Sequence, residues 1–235
     1  MGCVMKYKSN GSKTLYGLLM VSAGMMGAYT FVLRGGVFSN AQTANVVMMA
    51  IAFGQGQVSK ALYYLIPITA YFSGAFISEL FILPNKRIHV LHWDTYLIAF
   101  EAVVLFIIGF IPLTWSHHIT QVIINFIASM QYNTFRKARD IPMATTFCTN
   151  HVRQMGIQIA KVIEEKNIDN LKRCGVHLVM ILCFIAGGII LTFACSYMFE
   201  RAIWLALIPL VITLYNLIRE DVTTYKIARA ELLEK

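Results

Sequence analysis

One carboxylate stands inside a long apolar stretch of the sequence. Glu101 lies in the run from Trp93 to Thr114, eight residues after its start. Eight residues of helix advance about 12 Å at about 1.5 Å per residue, which is near the middle of a hydrocarbon layer about 30 Å thick. An ionised carboxylate there is costly unless it is paired, hydrated or protonated. Proton coupling or cation binding would use such a group, and a protonated, hydrogen-bonded structural Glu is the alternative.

The apolar run from Ile119 to Phe135 is unusually rich in polar side chains. Its polar residues are Thr120, Gln121, Asn125, Ser129, Gln131, Asn133 and Thr134. Such side chains cannot all face lipid, so they must face other helices or a hydrated cavity. We expect Asn125, Gln131 and Asn133 to line a binding cavity, with interhelical hydrogen bonding alone as the alternative.

Two short segments begin with a threonine and a nearby asparagine. They read Thr43-Ala44-Asn45 and Thr149-Asn150-His151. The threonines fit helix N-caps, where a side-chain oxygen accepts from free backbone N–H groups. A helix start that points into the protein also offers partial positive charge to an anion. We therefore expect Thr43, Asn45, Thr149 and Asn150 to bind a substrate, although capping alone would explain the threonines equally well.

Metal and enzyme chemistry find little support in the sequence. His89 and His92 are three residues apart beside Asp94, a spacing that permits metal ligation on one helical face. The cluster has neither a cysteine partner nor an HExxH pattern, so we interpret it as an interfacial polar cluster and expect no metal and no cofactor. Because a phosphate loop, a nucleophile elbow and paired catalytic carboxylates are also missing from the sequence, we expect no enzyme activity.

The composition is that of an integral membrane protein. Hydrophobic residues make up 57% of the 235 residues and charged residues 14%, whereas soluble domains carry about 25% charged residues. A membrane span needs about 17–25 mostly apolar residues, and backbone in hydrocarbon must satisfy its own hydrogen bonds as helix. Six runs qualify: Thr14–Leu33, Ala61–Leu83, Trp93–Thr114, Ile119–Phe135, Val176–Tyr197 and Ala202–Ile218.

The basic residues predict the orientation. With the N-terminus inside, only Arg34, Lys60 and Arg201 of the 20 basic residues fall on the outer side. Basic residues concentrate in cytoplasmic loops, so we expect both termini in the cytoplasm and the chain in the plasma membrane. Although the net charge is +8, the charges lie between apolar runs rather than on one face, so we expect no nucleic acid partner. Glu79, near the inner end of the second run, is expected to pair with Lys86 or Arg87.

The chain divides into two similar units. Two segments too short to span, Thr43–Phe53 and Thr149–Ile163, occupy matching places, and their threonines are 106 residues apart. Each unit reads span, short helix, span, span. Because three is an odd number of spans, two such units in tandem must insert with opposite orientations. We expect an all-α polytopic protein of about six spans in two inverted repeats, at 14–114 and 115–218, between cytoplasmic segments 1–13 and 219–235. One ordinary helix bundle with two loop helices is the alternative.

Two stretches resemble a known family. GGVFSNAQTANVV resembles the "F…QTGN" signature of the YoaK-like family of bacterial membrane proteins, and SMQYNTFRKARDIPMATTFCTN resembles its "GxQN…TTxxTG" stretch. The resemblance covers about residues 15–218 and implies six spans in a family without an established activity, for which transport is often suggested. The departures are Ala44, Ser129 and Asn150 in place of Gly, Tyr132 in place of Asn, and Gly27 where Asp is frequent.

Three functions remain in competition at this point. The leading hypothesis is a transporter of a small molecule or ion, with its site near mid-membrane between the repeats. The second is a non-transporting scaffold or regulator whose polar residues only hold helices together. The third is a membrane-embedded enzyme that acts on lipid. The lipid bilayer is the expected partner, and the sequence leaves open whether the chain forms a homo-oligomer.

Overall fold

The computed structural model describes residues 12–82, 91–138 and 141–233, and most of them are helical. The α-helices are α1 Lys13–Leu33, α2 Gln42–Gly54, α3 Val58–Ile82, α4 Trp93–Ile108, α5 His117–Thr134, α6 Thr149–Glu165, α7 Ile168–Met198 and α8 Leu207–Leu233. A 3₁₀ helix, Phe199–Ala206, joins α7 to α8. Two strands of two residues each, β1 Lys137–Ala138 and β2 Ile141–Pro142, form a small antiparallel ladder. The predicted all-α class is confirmed.

Several helix ends differ from those expected from hydropathy. Helix α4 ends at Ile108 rather than Thr114, because Gly109 and Pro112 follow, and proline disfavours helical backbone just before it. Helix α7 begins at Ile168, not Val176, where Asn167 caps it by accepting from the Asp169 N–H at 2.9 Å. Helix α8 continues to Leu233, well past the predicted end at Ile218.

Helices α1 and α7 pack closely and run parallel. A Cβ atom built on Gly187 would lie 2.1 Å from the carbonyl oxygen of Val21, and one built on Gly24 would lie 2.1 Å from that of Phe184. Further towards both helix starts, Gly17 faces Cys183. The contacts advance together along both helices, and glycine permits the close backbone approach.

Helices α3 and α5 form a second parallel pair of the same kind. A Cβ atom on Gly74 would lie 2.3 Å from the carbonyl oxygen of Phe126. Ser129 Oγ donates to the carbonyl oxygen of Tyr71 at 2.5 Å. Gln121 near the start of α5 donates to Tyr63 near the start of α3, and Asn133 near the end of α5 donates to Ser78 near the end of α3 at 2.6 Å, so the two helices run parallel.

Hydrogen bonds fix the directions of α4 and α5 relative to α1. Near the start of α1, Tyr16 Oη donates to the carbonyl oxygen of Lys137, just past the end of α5, at 2.6 Å. At the end of α1, the carbonyl oxygen of Arg34 accepts from Gln121, near the start of α5, at 2.5 Å. Arg34 also donates to the carbonyl oxygen of Ile111, just past the end of α4, at 2.6 Å. Helix α5 is therefore antiparallel to α1, and α4 is parallel to α1.

Helix α8 is antiparallel to α4. The backbone N–H of His92, which precedes α4, donates to Asp221 in the second half of α8 at 2.9 Å. Trp204 Nε1, which precedes α8, donates to the carbonyl oxygen of Phe106 near the end of α4 at 3.0 Å. Within the described residues, α1, α4 and α7 thus run one way and α3, α5 and α8 the other. We call the end where α1, α4 and α7 begin the basal end.

The bundle buries polar groups and exposes apolar ones. Arg34 and Glu101 are completely buried, whereas Phe72 and Phe193 are 71% and 69% exposed. Such an exposed apolar surface suits lipid contact. Among the described residues, three stretches are long and apolar enough to cross a membrane: Lys13–Leu33, Val58–Phe81 and Ile168–Ile227, the last of which contains α7 and most of α8. The helices are compatible with membrane insertion, and six spans remain a prediction.

Candidate membrane-interior site

Two non-helical segments, each with buried residues among those that the structure describes, interrupt the helical bundle. The first connecting segment, residues 34–41, joins α1 to α2, and the second connecting segment, residues 135–148, joins α5 to α6. Ser39 and Asn40 of the first are buried, as are Thr145 and Thr146 of the second. Irregular backbone at membrane depth is tolerated where it is buried in protein or lines a cavity. Each segment therefore marks a candidate site.

Each connecting segment is tied to the short helix that follows it by the same kind of bond. Asn45 Nδ2 donates to the carbonyl oxygen of Phe38 at 2.8 Å, and His151 Nε2 lies 2.7 Å from that of Ala144. In both cases the side chain reaches back seven residues, and the two bonds are 106 residues apart in sequence. Asn45 thus holds its segment in place. His151 does the same in the second half, although the sequence analysis did not select it.

The threonine caps predicted at the short helices are wrong. Helix α2 has Ala41 as its N-cap and α6 has Cys148, and neither side chain makes a capping bond. Thr43 lies two positions after the N-cap of α2 and Thr149 one position after that of α6, so both are inside the first turn, and both are exposed. Asn150 is half-buried and accepts from Arg153 Nη2 at 3.2 Å. The two hydroxyls therefore do not bind the free N–H groups of these helices.

Helix α5 holds the first connecting segment through its polar face. Asn125 Oδ1 accepts from Gln42 Nε2 at 2.7 Å, and Asn125 Nδ2 donates to the carbonyl oxygen of Gln121 at 2.8 Å. Gln121 in turn donates to the carbonyl oxygen of Arg34 and to the hydroxyl of Tyr63. The prediction that these α5 side chains face the interior is confirmed, because Asn125 and Gln121 are fully buried.

Glu101 meets Gln131 in the interior, where both side chains are fully buried. With its amide nitrogen towards the carboxyl, Gln131 donates to Glu101 Oε1 at 2.7 Å and to Oε2 at 3.2 Å. With the amide reversed, Gln131 Nε2 lies 3.4 Å from the carbonyl oxygen of Thr145. The amide of Gln131 therefore stands between the carboxyl of Glu101 and the second connecting segment.

Several buried hydroxyls have no hydrogen-bond partner within the described residues. Ser39 belongs to the first connecting segment and Thr145 to the second, while Ser22 lies on α1 and Thr120 on α5. Most buried polar atoms in proteins are hydrogen-bonded to protein or ordered water. These hydroxyls are therefore available to water or to a polar solute, and both connecting segments contribute one.

Asn133 belongs to a different cluster from Glu101. It donates to Ser78 Oγ at 2.6 Å and to Glu79 Oε2 at 2.9 Å, and Glu79 pairs with Arg136. Two residues apart on a helix, Asn133 and Gln131 point in directions about 200° apart. Asn133 therefore stabilises the basal end of the α3–α5 pair. Lys86 and Arg87, which were predicted to pair with Glu79, lie outside the described residues.

His92 is clamped to α8 at the basal end. Its Nδ1 lies 2.5 Å from Asp221 Oδ1, and Thr95 Oγ1 donates to Asp221 Oδ2 at 2.6 Å. Asp221 could not be predicted as a partner of His92 from the sequence, because the two residues are 129 positions apart. His89 lies outside the described residues. Among the residues that are described, no group of three or more His, Cys, Asp or Glu is placed to hold a metal ion.

Comparison with known proteins gives one match. A family profile matches residues 15–215, and the family is described as a protein of unknown function, DUF1275. This match covers most of the chain and is consistent with the YoaK-like resemblance. No curated protein and no solved structure matches the chain.

Proposed function

The chain belongs to the DUF1275 family, whose function is unknown, and we propose that it transports a small polar solute across the plasma membrane. In this proposal six spans form two inverted repeats, residues 14–114 and 115–218, and both termini are cytoplasmic. The solute site lies between the repeats, where the two connecting segments approach α5.

Recurring contacts support the inverted repeats. Gly187 of α7 meets Val21 of α1 just as Gly74 of α3 meets Phe126 of α5. Val21 and Phe126 are 105 residues apart, close to the 106-residue spacing of the return bonds made by Asn45 and His151. Helices α1 and α5 run in opposite directions. The twofold axis that relates the two halves must therefore lie perpendicular to the helices rather than along them. Inverted repeats of this kind are common in secondary transporters.

The observation that carries the proposal is the pair of buried connecting segments. Transporters place broken helices at the repeat interface, where freed backbone groups and side chains bind the solute. Here residues 34–41 and 135–148 occupy equivalent places, and each holds a buried hydroxyl without a partner, on Ser39 and Thr145. A bundle held together only by packing would gain nothing from two such interruptions.

Glu101 and Gln131 supply a means of proton coupling. An ionised carboxylate can only accept, so it pairs with the amide nitrogen of Gln131, whereas a protonated carboxyl can donate its O–H to the amide oxygen. The second state turns the nitrogen towards the carbonyl oxygen of Thr145, which is 3.4 Å away. In the proposal, protonation of Glu101 is thereby relayed to the second connecting segment and to the solute beside it.

A non-transporting scaffold is the second candidate. Glu101, Asn125 and Gln131 are fully buried, and each makes a hydrogen bond inside the bundle. Polar side chains of this kind also serve as interhelical contacts without any solute. The two candidates differ in whether a solute drives protons across the membrane.

Proteoliposomes provide the test. The purified chain is reconstituted around the pH dye pyranine, and amino acids, small carboxylates, sugars and alkali cations are added one class at a time. We expect one class to drive proton movement, and Glu101→Gln to abolish it while the protein remains folded. Glu164→Gln, an exposed carboxylate on α6, serves as the matched control and should behave as the parent. Proton movement with no class, or with the Glu101 variant unchanged across about pH 5–8, overturns the proposal.

A further inference from the structure

An apolar groove opens between α1 and α7 at the basal end. Its volume is about 660 Å³, and its apolar walls come from Leu18, Val21, Val176, Val179 and Met180. Gly17 and Gly175 contribute to the same surface. These glycines lack side chains and so leave space between the two helices, and the lining residues of α1 extend from Lys13 to Val21, about 12 Å along the helix.

The rim of the groove is positively charged. Lys13 and Lys172 line it together with Thr14. Lys13 is the first residue of α1, so it lies beside the N-terminus of that helix, where Ser12 Oγ accepts from the Leu15 N–H at 3.2 Å and the N–H groups of the first two residues have no partner within the helix. Since α1 and α7 are parallel, the positive ends of both helix dipoles point towards the basal end. The described lining residues include no carboxylate and no histidine.

We propose that this groove binds an anionic glycerophospholipid, with an acyl chain against the apolar walls and the phosphate beside Lys13 and Lys172. The apolar walls alone would accept the chain of any lipid, and the lysines select the headgroup charge. The predicted orientation puts the basal end at the cytoplasmic leaflet, where anionic lipids attract basic residues near the surface. The site is independent of the proposed transport site.

Asp169 moderates the charge of the rim. It accepts from Lys172 Nζ at 2.8 Å, and both side chains are largely exposed. Exposed pairs of this kind are weak, so a lipid phosphate can compete for the lysine. Removal of the carboxylate should therefore strengthen headgroup binding without altering the groove.

Native mass spectrometry of the full chain in mild detergent tests the site, with phosphatidylglycerol and phosphatidylcholine added in equal amounts. We expect one phosphatidylglycerol to be retained at least several-fold more than phosphatidylcholine. The double variant Lys13→Gln, Lys172→Gln should lose this preference, and Asp169→Asn should increase it. Lys161→Gln, an exposed lysine on α6, is the control for charge alone and should leave the preference unchanged.

A groove-filling variant tests the location. A Cβ atom on Gly175 meets nothing within 4 Å, and the same holds for Gly156 on α6. Gly175→Leu should fill the groove and abolish retention of both lipids, whereas Gly156→Leu should not. Equal retention of the two lipids by the parent, or failure to retain either, overturns the proposal. Parent-like retention by the Gly175 variant, or an equal loss in the Lys161 control, overturns it as well.

Discussion

Arg34 is among the largest fully buried side chains of the described structure. Its guanidinium donates to the Tyr29 hydroxyl at 2.7 Å and to the carbonyl oxygens of Ile111 and Pro112 at 2.6 and 3.2 Å. These carbonyls follow the end of α4, where the helix dipole is negative. Sequence analysis counted Arg34 only as an outer basic residue, because its acceptors lie 77 and 78 residues away.

Arg34→Lys should destabilise the protein although it keeps the charge. An ammonium cannot span the three acceptors as the planar guanidinium does, and each buried acceptor left unpaired costs about 1–3 kcal/mol. For a chain of this size, about 1 kcal/mol lowers the melting temperature by about 2–4 °C. Thermal unfolding in detergent measures the change. Arg201→Lys, at an exposed position, should unfold like the parent, and an equal effect of both changes would refute the role of Arg34.

His151 makes stability depend on pH. Its Nδ1 lies 3.0 Å from Nδ1 of His177, and burial lowers the pKa of His151 below its ordinary value of 6.5. Unfolded His151 then binds a proton at a higher pH than folded His151 does. Its contribution to stability is therefore complete above about pH 6.5 and falls as the pH drops towards the folded pKa.

His151→Gln removes this titration and keeps an amide that can donate to the carbonyl oxygen of Ala144. We expect the melting temperature of the parent to fall between about pH 7 and pH 5.5 by more than that of the variant. Parallel curves for the two proteins would show that His151 does not carry the pH dependence.

The site was predictable in kind rather than in detail. Polar side chains in an apolar helix must find partners, so Asn125, Gln131 and Glu101 could be placed in the interior from sequence alone. Their partners could not, because Thr145 lies in a non-helical segment without a periodic pattern and Gln42, the first residue of α2, is 83 residues from Asn125 in the sequence. The predicted role of these residues in substrate binding stays a prediction.

At the scale of elements, hydropathy found the apolar part of each helix but not the whole helix. The first two turns of α7 carry Asp169, Lys172 and Arg173, so they read as a loop, yet the backbone continues its hydrogen bonds through them. The short helix predicted at Thr149–Ile163 is present as α6. Its polar face, with Gln154 and Gln158, is buried, and apolar residues are exposed. Only the helix packing decides which face is turned inward.

The glycines at the helix crossings should be the least replaceable residues of the parallel pairs. Gly187→Ala and Gly74→Ala each place a Cβ within 2.1–2.3 Å of a backbone carbonyl oxygen. Overpacking of this kind costs about 1–3 kcal/mol, so each variant should melt several degrees lower. Gly156→Ala is the matched control, since a Cβ there meets nothing within 4 Å. It should be neutral or stabilising, because Ala favours helix over Gly by about 1 kcal/mol. If Gly187→Ala and Gly74→Ala both melted at the temperature of the parent, the close approach of the helix pairs would be contradicted.

At the scale of the whole molecule, the helix directions and the charges agree. Among the described basic residues, all but Arg34, Lys60 and Arg201 belong to segments at or leading to the basal end. The start of α1 and the end of α8 also lie at the basal end, since α8 runs against α1. The positive-inside rule depends only on the basic residues of the loops. The sequence therefore predicts which helix ends lie on the same side of the membrane without information on which helices are in contact.

Labelling with a membrane-impermeant maleimide tests this arrangement across the bilayer. In a background without the five native cysteines, Ser12→Cys and Tyr225→Cys should react only in inverted vesicles, because both lie at the basal end. Ser59→Cys, at the exposed start of α3, should react in intact cells, and its labelling also shows that the reagent reaches the outer surface. Reaction of both basal positions from outside would reverse the orientation but keep an even number of crossings. Reaction of positions 12 and 225 from opposite sides would require an odd number of crossings, and the six-span inverted repeat would then be wrong.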